Sequence, residues 1–106
     1  MPSMKSPANR KRASLPRASG HTRTFVKDWE RLTRAGQHDL RRLKEVMLLL
    51  IANEEPLGPE WRDHTLQGNW ADHRECHIGG DFLLIYQHEG NFINFVRCGT
   101  HAELFE

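Results

Sequence analysis

The chain has 106 residues, enough for one domain, with 15 basic and 14 acidic side chains and 7 histidines. That balance lacks the strong basic excess usual in a nucleic-acid binder, and no apolar run reaches the length of a membrane-spanning helix. Two cysteines, Cys76 and Cys98, are too few for a disulfide framework and suit a reducing, cytoplasmic setting.

Residues 1–20 differ from the rest. Lys5, Arg10, Lys11, Arg12 and Arg17 give this stretch a charge of +5 with no acid, beside three prolines and four serines. It cannot bury enough apolar surface to offset its ordering entropy, so a disordered basic tail is expected there, ahead of a domain over 21–106. Removing such a tail is expected to change thermal stability little. The tail is rich in Arg and Ser, as transit peptides are, but it lacks their apolar periodicity and has no signal-peptide core. The domain carries −4 with histidines neutral and holds every histidine.

A short strand is expected over 21–24. Phe25, Trp29 and Leu32 then fall on one helical face, with Gly36 as the stop. Asp39 opens a second helix whose apolar stripe is Leu40, Leu43, Met47, Leu50 and Ile51 and which ends at 53–56. Residues 54–63 read as a loop, and Leu66 to Gly68 as the start of a sheet. Strands follow over 73–78, 82–88 and 92–98, separated by turns at Gly79-Gly80-Asp81 and Glu89-Gly90-Asn91. Gly99-Thr100 is expected to break the last strand before a final helical turn. Helices first and antiparallel strands after predict an α+β fold: an αα-hairpin on one face of a small, mainly antiparallel sheet. In that meander Cys76 and Cys98 lie two strand spacings apart, about 9–10 Å and beyond disulfide reach.

The polar residues of this half form the candidate site. His77 alternates with Cys76 and Ile78, so it faces the open side of the sheet if they face the helices. Arg97 shares phase with the apolar Ile93 and Phe95 and reaches the site only if the strand bends. His64, Asp81 and His101 sit at strand ends. Imidazoles titrate near neutral pH, so two of them can serve as general base and general acid. RNA brings its own nucleophile, the 2′-OH; a guanidinium such as Arg97 suits the phosphorane, and Phe82 and Phe105 can stack on bases. His21, His38, His73 and His88 are taken as surface residues, and Arg74 as an ion-pair partner of Glu75 or Asp72. No His-x₃-His or Cys-x₂-Cys spacing points to a metal, so neither metal nor cofactor is expected.

The order of motifs also carries a resemblance. His64-Thr-Leu-Gln-Gly-Asn-Trp70, Arg74-Glu-Cys-His77, Asp81-Phe-Leu-Leu-Ile-Tyr86, Arg97-Cys-Gly-Thr-His101 and Leu104-Phe105 resemble, in sequence and spacing, the YafQ-type toxins of the RelE/ParE superfamily. The likeness covers about residues 22–106. It departs from the family pattern at Phe82, where Trp is usual, and at Thr65, where Pro is usual. The resemblance implies an endoribonuclease that cuts mRNA in the ribosomal A site, with its functional residues at His64, His77, Asp81, Phe82, Arg97, His101 and Phe105. For the proton transfers themselves, His101 is expected to act as base, with His64 or His77 plus Asp81 on the leaving-group side. The partners implied by the resemblance are the ribosome, mRNA and a DNA-binding antitoxin of the DinJ kind. A second function fits the same scaffold: a ParE-like toxin that poisons a protein target without nuclease chemistry. The histidine set separates the two, since such binding gives no reason for it. A degenerate toxin retained only for complex formation is the third reading, with Phe82 as its one hint.

Overall fold

The structure, a computed structural model, describes residues 15–106. Residues 1–14 of the expected tail lie outside the described residues. Strand β1 (Ala18–His21) leads into helix α1 (Arg23–Ala35) and helix α2 (Leu40–Ala52). Strands β2 (His64–Thr65), β3 (Arg74–Gly79), β4 (Phe82–Glu89) and β5 (Phe92–Thr100) follow, and helix α3 (His101–Phe105) closes the chain. The sheet order is β1-β5-β4-β3-β2, with β1 parallel to β5 and every other pair antiparallel. This is the expected α+β architecture, a helix pair on one face of a mainly antiparallel sheet.

Local chemistry sets the helix limits. Thr22 caps α1 by accepting the Phe25 N–H, and Gly36 ends it in the left-handed region at φ 64°. Asp39 caps α2 by accepting the Arg41 and Arg42 N–H groups, and Asn53 ends it at φ 55°. The expected stripe on α2 gains Val46, which is fully buried beside Leu43. Phe25 and Leu32 of α1 are buried as expected, and Trp29 packs against the same core. Beneath the helices lie Cys76, Ile78, Phe82, Leu84, Tyr86, Ile93, Phe95 and Cys98. The thiols stay reduced and inert there: burial pushes Cys98 up to about 12 and Cys76 further.

Strand limits differ in three places. β1 begins at Ala18, inside the expected tail, because its backbone pairs with β5 from Ala18↔Phe92 to His21↔Phe95. Arg17 is anchored as well, its N–H donating to Ile51 O at 2.8 Å and its Nη1 to Leu50 O at 2.8 Å. β2 is His64–Thr65 instead of the stretch from Leu66, and β5 runs through Gly99 to Thr100.

Candidate functional site

Alternation along β3 places Glu75 and His77 on the face away from α1 and α2, opposite Cys76 and Ile78. β2 pairs His64 with Glu75, which brings a second imidazole to the same face. His64 Nε2 lies 3.3 Å and His77 Nε2 3.5 Å from Glu75 Oε2, and the two rings are 5.8 Å apart. Glu75 is 7% exposed, and among the described residues no arginine pairs with its carboxylate, Arg74 being bound to Asp63. A carbonyl only accepts, so the 2.9 Å contact of His64 Nδ1 with Arg62 O makes Nδ1 the donor and leaves Nε2 facing the carboxylate. In the neutral ring that Nε2 is an acceptor opposite an acceptor. A proton or another cation between them resolves the conflict.

The loop before β2 is braced. Arg74 grips Asp63 Oδ2 with Nε at 3.0 Å and Nη2 at 2.7 Å, while the Tyr86 hydroxyl donates to Asp63 Oδ1. Arg74 therefore pairs with Asp63, not with Glu75 or Asp72. Burial, reinforced by that hydrogen bond to Asp63, pushes the Tyr86 hydroxyl up, so it stays a donor. Arg62 adopts φ 47°, which turns its carbonyl toward His64.

The last strand carries a bulge at the expected bend. Ile85 pairs with Arg97 but Tyr86 with Phe95, so Val96 has no partner and the phase slips by one residue. Arg97 leaves the face of Phe95, and Cys98 takes the core position. The guanidinium is held by Asp28 of α1, with Nε at 2.8 Å from Oδ2 and Nη2 at 3.0 Å from Oδ1. Among the described residues its Nη1 has no protein partner. Asp28 is 2% exposed and also accepts from Arg31 and from the Cys98 N–H. Burial by itself would push its carboxyl up; the hydrogen bonds of Arg97, Arg31 and Cys98 outweigh that and hold it below the usual carboxylate range.

Helix α3 begins level with His77 on the other side of β4, since Leu83 pairs with both His77 and Gly99. Thr100 and Glu103 form a reciprocal capping box, and Arg31 reaches Glu103 at 3.3 Å, which ties α3 to α1. His101 is its first residue and its side chain is 59% exposed; its N–H donates to Asp81 O at 3.1 Å. Asp81 thus joins the site through its backbone, with its side chain exposed in the β3–β4 turn. Phe105 lies 4.9 Å from the His101 ring and edge-on to Trp70 at 5.9 Å.

Phe82 is a correction. It shares phase with Leu84 and Tyr86, is 2% exposed, and stacks on His38 at 4.5 Å under the helices. It cannot offer a face to a base, and its His38 partner is packed, not free at the surface. Three residues were overlooked by sequence reasoning. Glu75 could have been found from its i, i+2 spacing with His77, which puts both on one strand face. Trp70 sits in a quoted motif. Asp28 gave no signal beyond being an acid on the apolar face of α1.

A helix pair on a mixed sheet, with a histidine–carboxylate cluster on the uncovered face, defines a small α+β protein with a candidate polar site. The chain belongs to the YafQ family of bacterial toxins of type II toxin–antitoxin systems, whose family model matches residues 17–106. It is 41% identical over 75 residues to the mRNA interferase toxin YafQ of Escherichia coli K12, covering 71% of this chain and 82% of that protein. Its fold matches E. coli YafQ in the DinJ–YafQ toxin–antitoxin complex with a TM-score of 0.80 at 36% identity, over 87% of this chain and 100% of that one. A metal-bound toxin from Helicobacter pylori matches with a TM-score of 0.73 at 38% identity, over 84% of this chain and 99% of that one.

Proposed function

We propose that this protein is the toxin of a toxin–antitoxin pair and an endoribonuclease that cuts mRNA in the ribosomal A site. Family membership supports the activity, and the observation that carries the chemistry is the His64–Glu75–His77 cluster on the open face. The 2′-OH attacks the adjacent phosphorus and the bond to the 5′-oxygen breaks, so no metal is required. The cluster accepts the 2′-OH proton: Glu75 is a carboxylate flanked by two imidazoles that can share it. His101, exposed on the other side of β4 from His77, protonates the leaving 5′-oxygen. This reverses the split expected from the sequence, because the paired carboxylate lies with His64 and His77. Arg97, oriented by Asp28, offers Nη1 to the phosphorane oxygens. Phe105 and Trp70, both half-buried, supply the stacking surface first assigned to Phe82. Asp81 fixes the backbone of His101.

An antitoxin of the DinJ kind is the proposed partner, and the cytoplasm the proposed site of action. The balance of charge fits a protein that meets RNA inside the ribosome, where much of the binding surface is already assembled. Mapping mRNA 5′ ends after induced expression, with and without translation, tests the function. The expected result is translation-dependent cuts whose downstream fragments begin with 5′-OH and whose upstream fragments end in 2′,3′-cyclic phosphate or its opened form, insensitive to chelators. A 5′-phosphate, or activity lost to EDTA and restored by a divalent metal, would sink the mechanism. Arrested growth with intact mRNA would favour the protein-poisoning alternative.

A further inference from the structure

We propose that Asp63, held by Arg74 and Tyr86, is a positioning residue for RNA cleavage: it fixes the Arg62 carbonyl, which keeps the His64 proton on Nδ1 and leaves Nε2 to accept one beside Glu75. The effect on cleavage rests on the nuclease reading above; the control of the His64 ring does not.

His64 needs such a device because its own strand is too short to hold it. β2 has two residues and lies at the edge of the sheet, joined to β3 through the pairs His64↔Glu75 and Thr65↔Arg74. Pairing of that length at an edge opens locally at little cost. A loop with one 3-10 turn, Pro59–Trp61, precedes it. Trp61 is buried, with the Arg42 guanidinium 4.4 Å over its ring, and this fastens the turn. Arg62 then takes φ 47° and ψ 45°, in the left-handed region, without the freedom of a glycine. Such a conformation persists only where its surroundings over-determine it. Trp61 fixes one side of Arg62, and Asp63 fixes the other. The Asp63 carboxylate takes both Arg74 bonds on Oδ2 and the hydroxyl of the buried Tyr86 on Oδ1, so the clamp is anchored in the core.

Alternation turns the clamp into an aiming device. Tyr86 belongs to the core beneath the helices, and Arg74 pairs with it across β3 and β4. Neighbouring residues of an extended chain point to opposite faces, so fastening Asp63 on the covered side sends His64 to the open one. The groups facing the ring there are the Glu75 carboxylate at 3.3 Å, the His77 ring at 5.8 Å and Arg62 O at 2.9 Å. The carbonyl only accepts, so the ring proton stays on Nδ1 and Nε2 is the nitrogen left to receive a proton. In the opposite tautomer Nε2 would donate to Glu75, and Nδ1 would meet the carbonyl as acceptor against acceptor. That ring could not take up the 2′-OH proton on its open side.

The test uses two variants of the full chain, Asp63→Asn and Tyr86→Phe, each checked for folding by circular dichroism. The nitrogen NMR shifts of the His64 ring, read at a pH where the ring is neutral, report which nitrogen holds the proton. The parent should carry it on Nδ1. Asp63→Asn should show a mixture of tautomers, and Tyr86→Phe a smaller change in the same direction. On translating ribosomes, kcat for Asp63→Asn should fall about tenfold to a hundredfold with KM nearly unchanged. In a His64→Ala background the same change should cost no further cleavage, because Asp63 acts only through that ring. A merely structural brace would lower the melting temperature and leave the tautomer and kcat per folded molecule as they were. An unchanged tautomer in both variants, or in Tyr86→Phe alone if Asp63→Asn does not fold, would overturn the proposal. A further loss of cleavage in the His64→Ala background would overturn the route through His64. A tautomer that follows the clamp in a protein that never cuts RNA would refute the nuclease reading and leave the control of the ring standing.

Discussion

Two neighbouring rows of the sheet differ completely in chemistry. Cys76, Leu84 and Cys98 pair across β3, β4 and β5 beneath the helices, all fully buried. One residue along, Glu75, Ile85 and Arg97 pair across the same strands on the other face, and the row starts with a carboxylate and ends with a guanidinium. The alternation of a strand lets one set of backbone bonds carry both. The covered face stabilises the fold by removing apolar surface from water. The open face can then hold groups that would be costly in a core, because each has a partner there. Substitutions on the two faces should therefore separate stability from activity.

Leu84→Ala gives the largest expected effect. It leaves a cavity in a side chain's place at the centre of the covered face, and Leu→Ala changes in cores cost about 2–5 kcal/mol. Chemical denaturation should show a lowered midpoint, and cleavage per folded molecule should hold. Equal loss of cleavage per folded molecule would mean that the two faces are not independent.

Glu75→Gln is the counterpart on the open face. It keeps the shape and removes the charge that the two imidazoles share. Cleavage should fall on the order of 10²–10³, with a shift in melting temperature much smaller than that of Leu84→Ala. A variant that cleaves at the parent rate would remove Glu75 from the chemistry.

What was legible in the sequence follows the same division. The covered face announces itself through period: Phe25 and Leu32 on α1, Leu43 and Leu50 on α2, and alternate residues on β3 to β5 gave the layers and the open face of His77. Phase errors came from features that local pattern does not encode. A bulge at Val96 re-aimed Arg97, and only the paired strand reveals it. Phe82 was read as a motif position although its alternation with Leu84 and Tyr86 already placed it inside. Glu75 was passed over because a single acid next to Arg74 looks like a local ion pair; its partners come from β2 and from two residues along β3. β1 has no apolar signature at all, since its backbone hydrogen bonds with β5, not its side chains, hold it.

Asp28 joins the two faces, and its expected effect is smaller. Its carboxyl is held below the ordinary aspartate value of 3.8, so the unfolded chain binds the proton more readily and stability rises with pH across that window. The contribution is present above about pH 4 and is lost as pH falls from there toward the depressed folded value. Asp28→Asn should cost about 1.5–3 kcal/mol at neutral pH, the range for hydrogen bonds to a charged group. It should also flatten the acid limb of a stability–pH profile. Cleavage should fall as well, since Arg97 loses its orienting partner. An unchanged acid limb would show that Asp28 is protonated alike in both states.

The smallest effect concerns the edge of the sheet. Two deletions, of residues 1–14 and of 1–20, differ by six residues that include most of β1. The longer one removes the Arg17 bonds to Leu50 and Ile51, the Ala18 N–H bond to Asn91 O and the pairing of 18–20 with β5. Each such bond contributes about 0.5–1.5 kcal/mol net, so the longer deletion should melt below the shorter one, by less than the Leu84→Ala change. The shorter deletion removes none of those bonds, and its melting temperature should match that of the full chain. The longer deletion also exposes β5 along residues 92–95 as a new sheet edge, so it should self-associate more readily at high concentration. Equal melting temperatures for the two deletions would mean that β1 adds nothing to the fold, and that the boundary first placed at residue 21 was the energetic one.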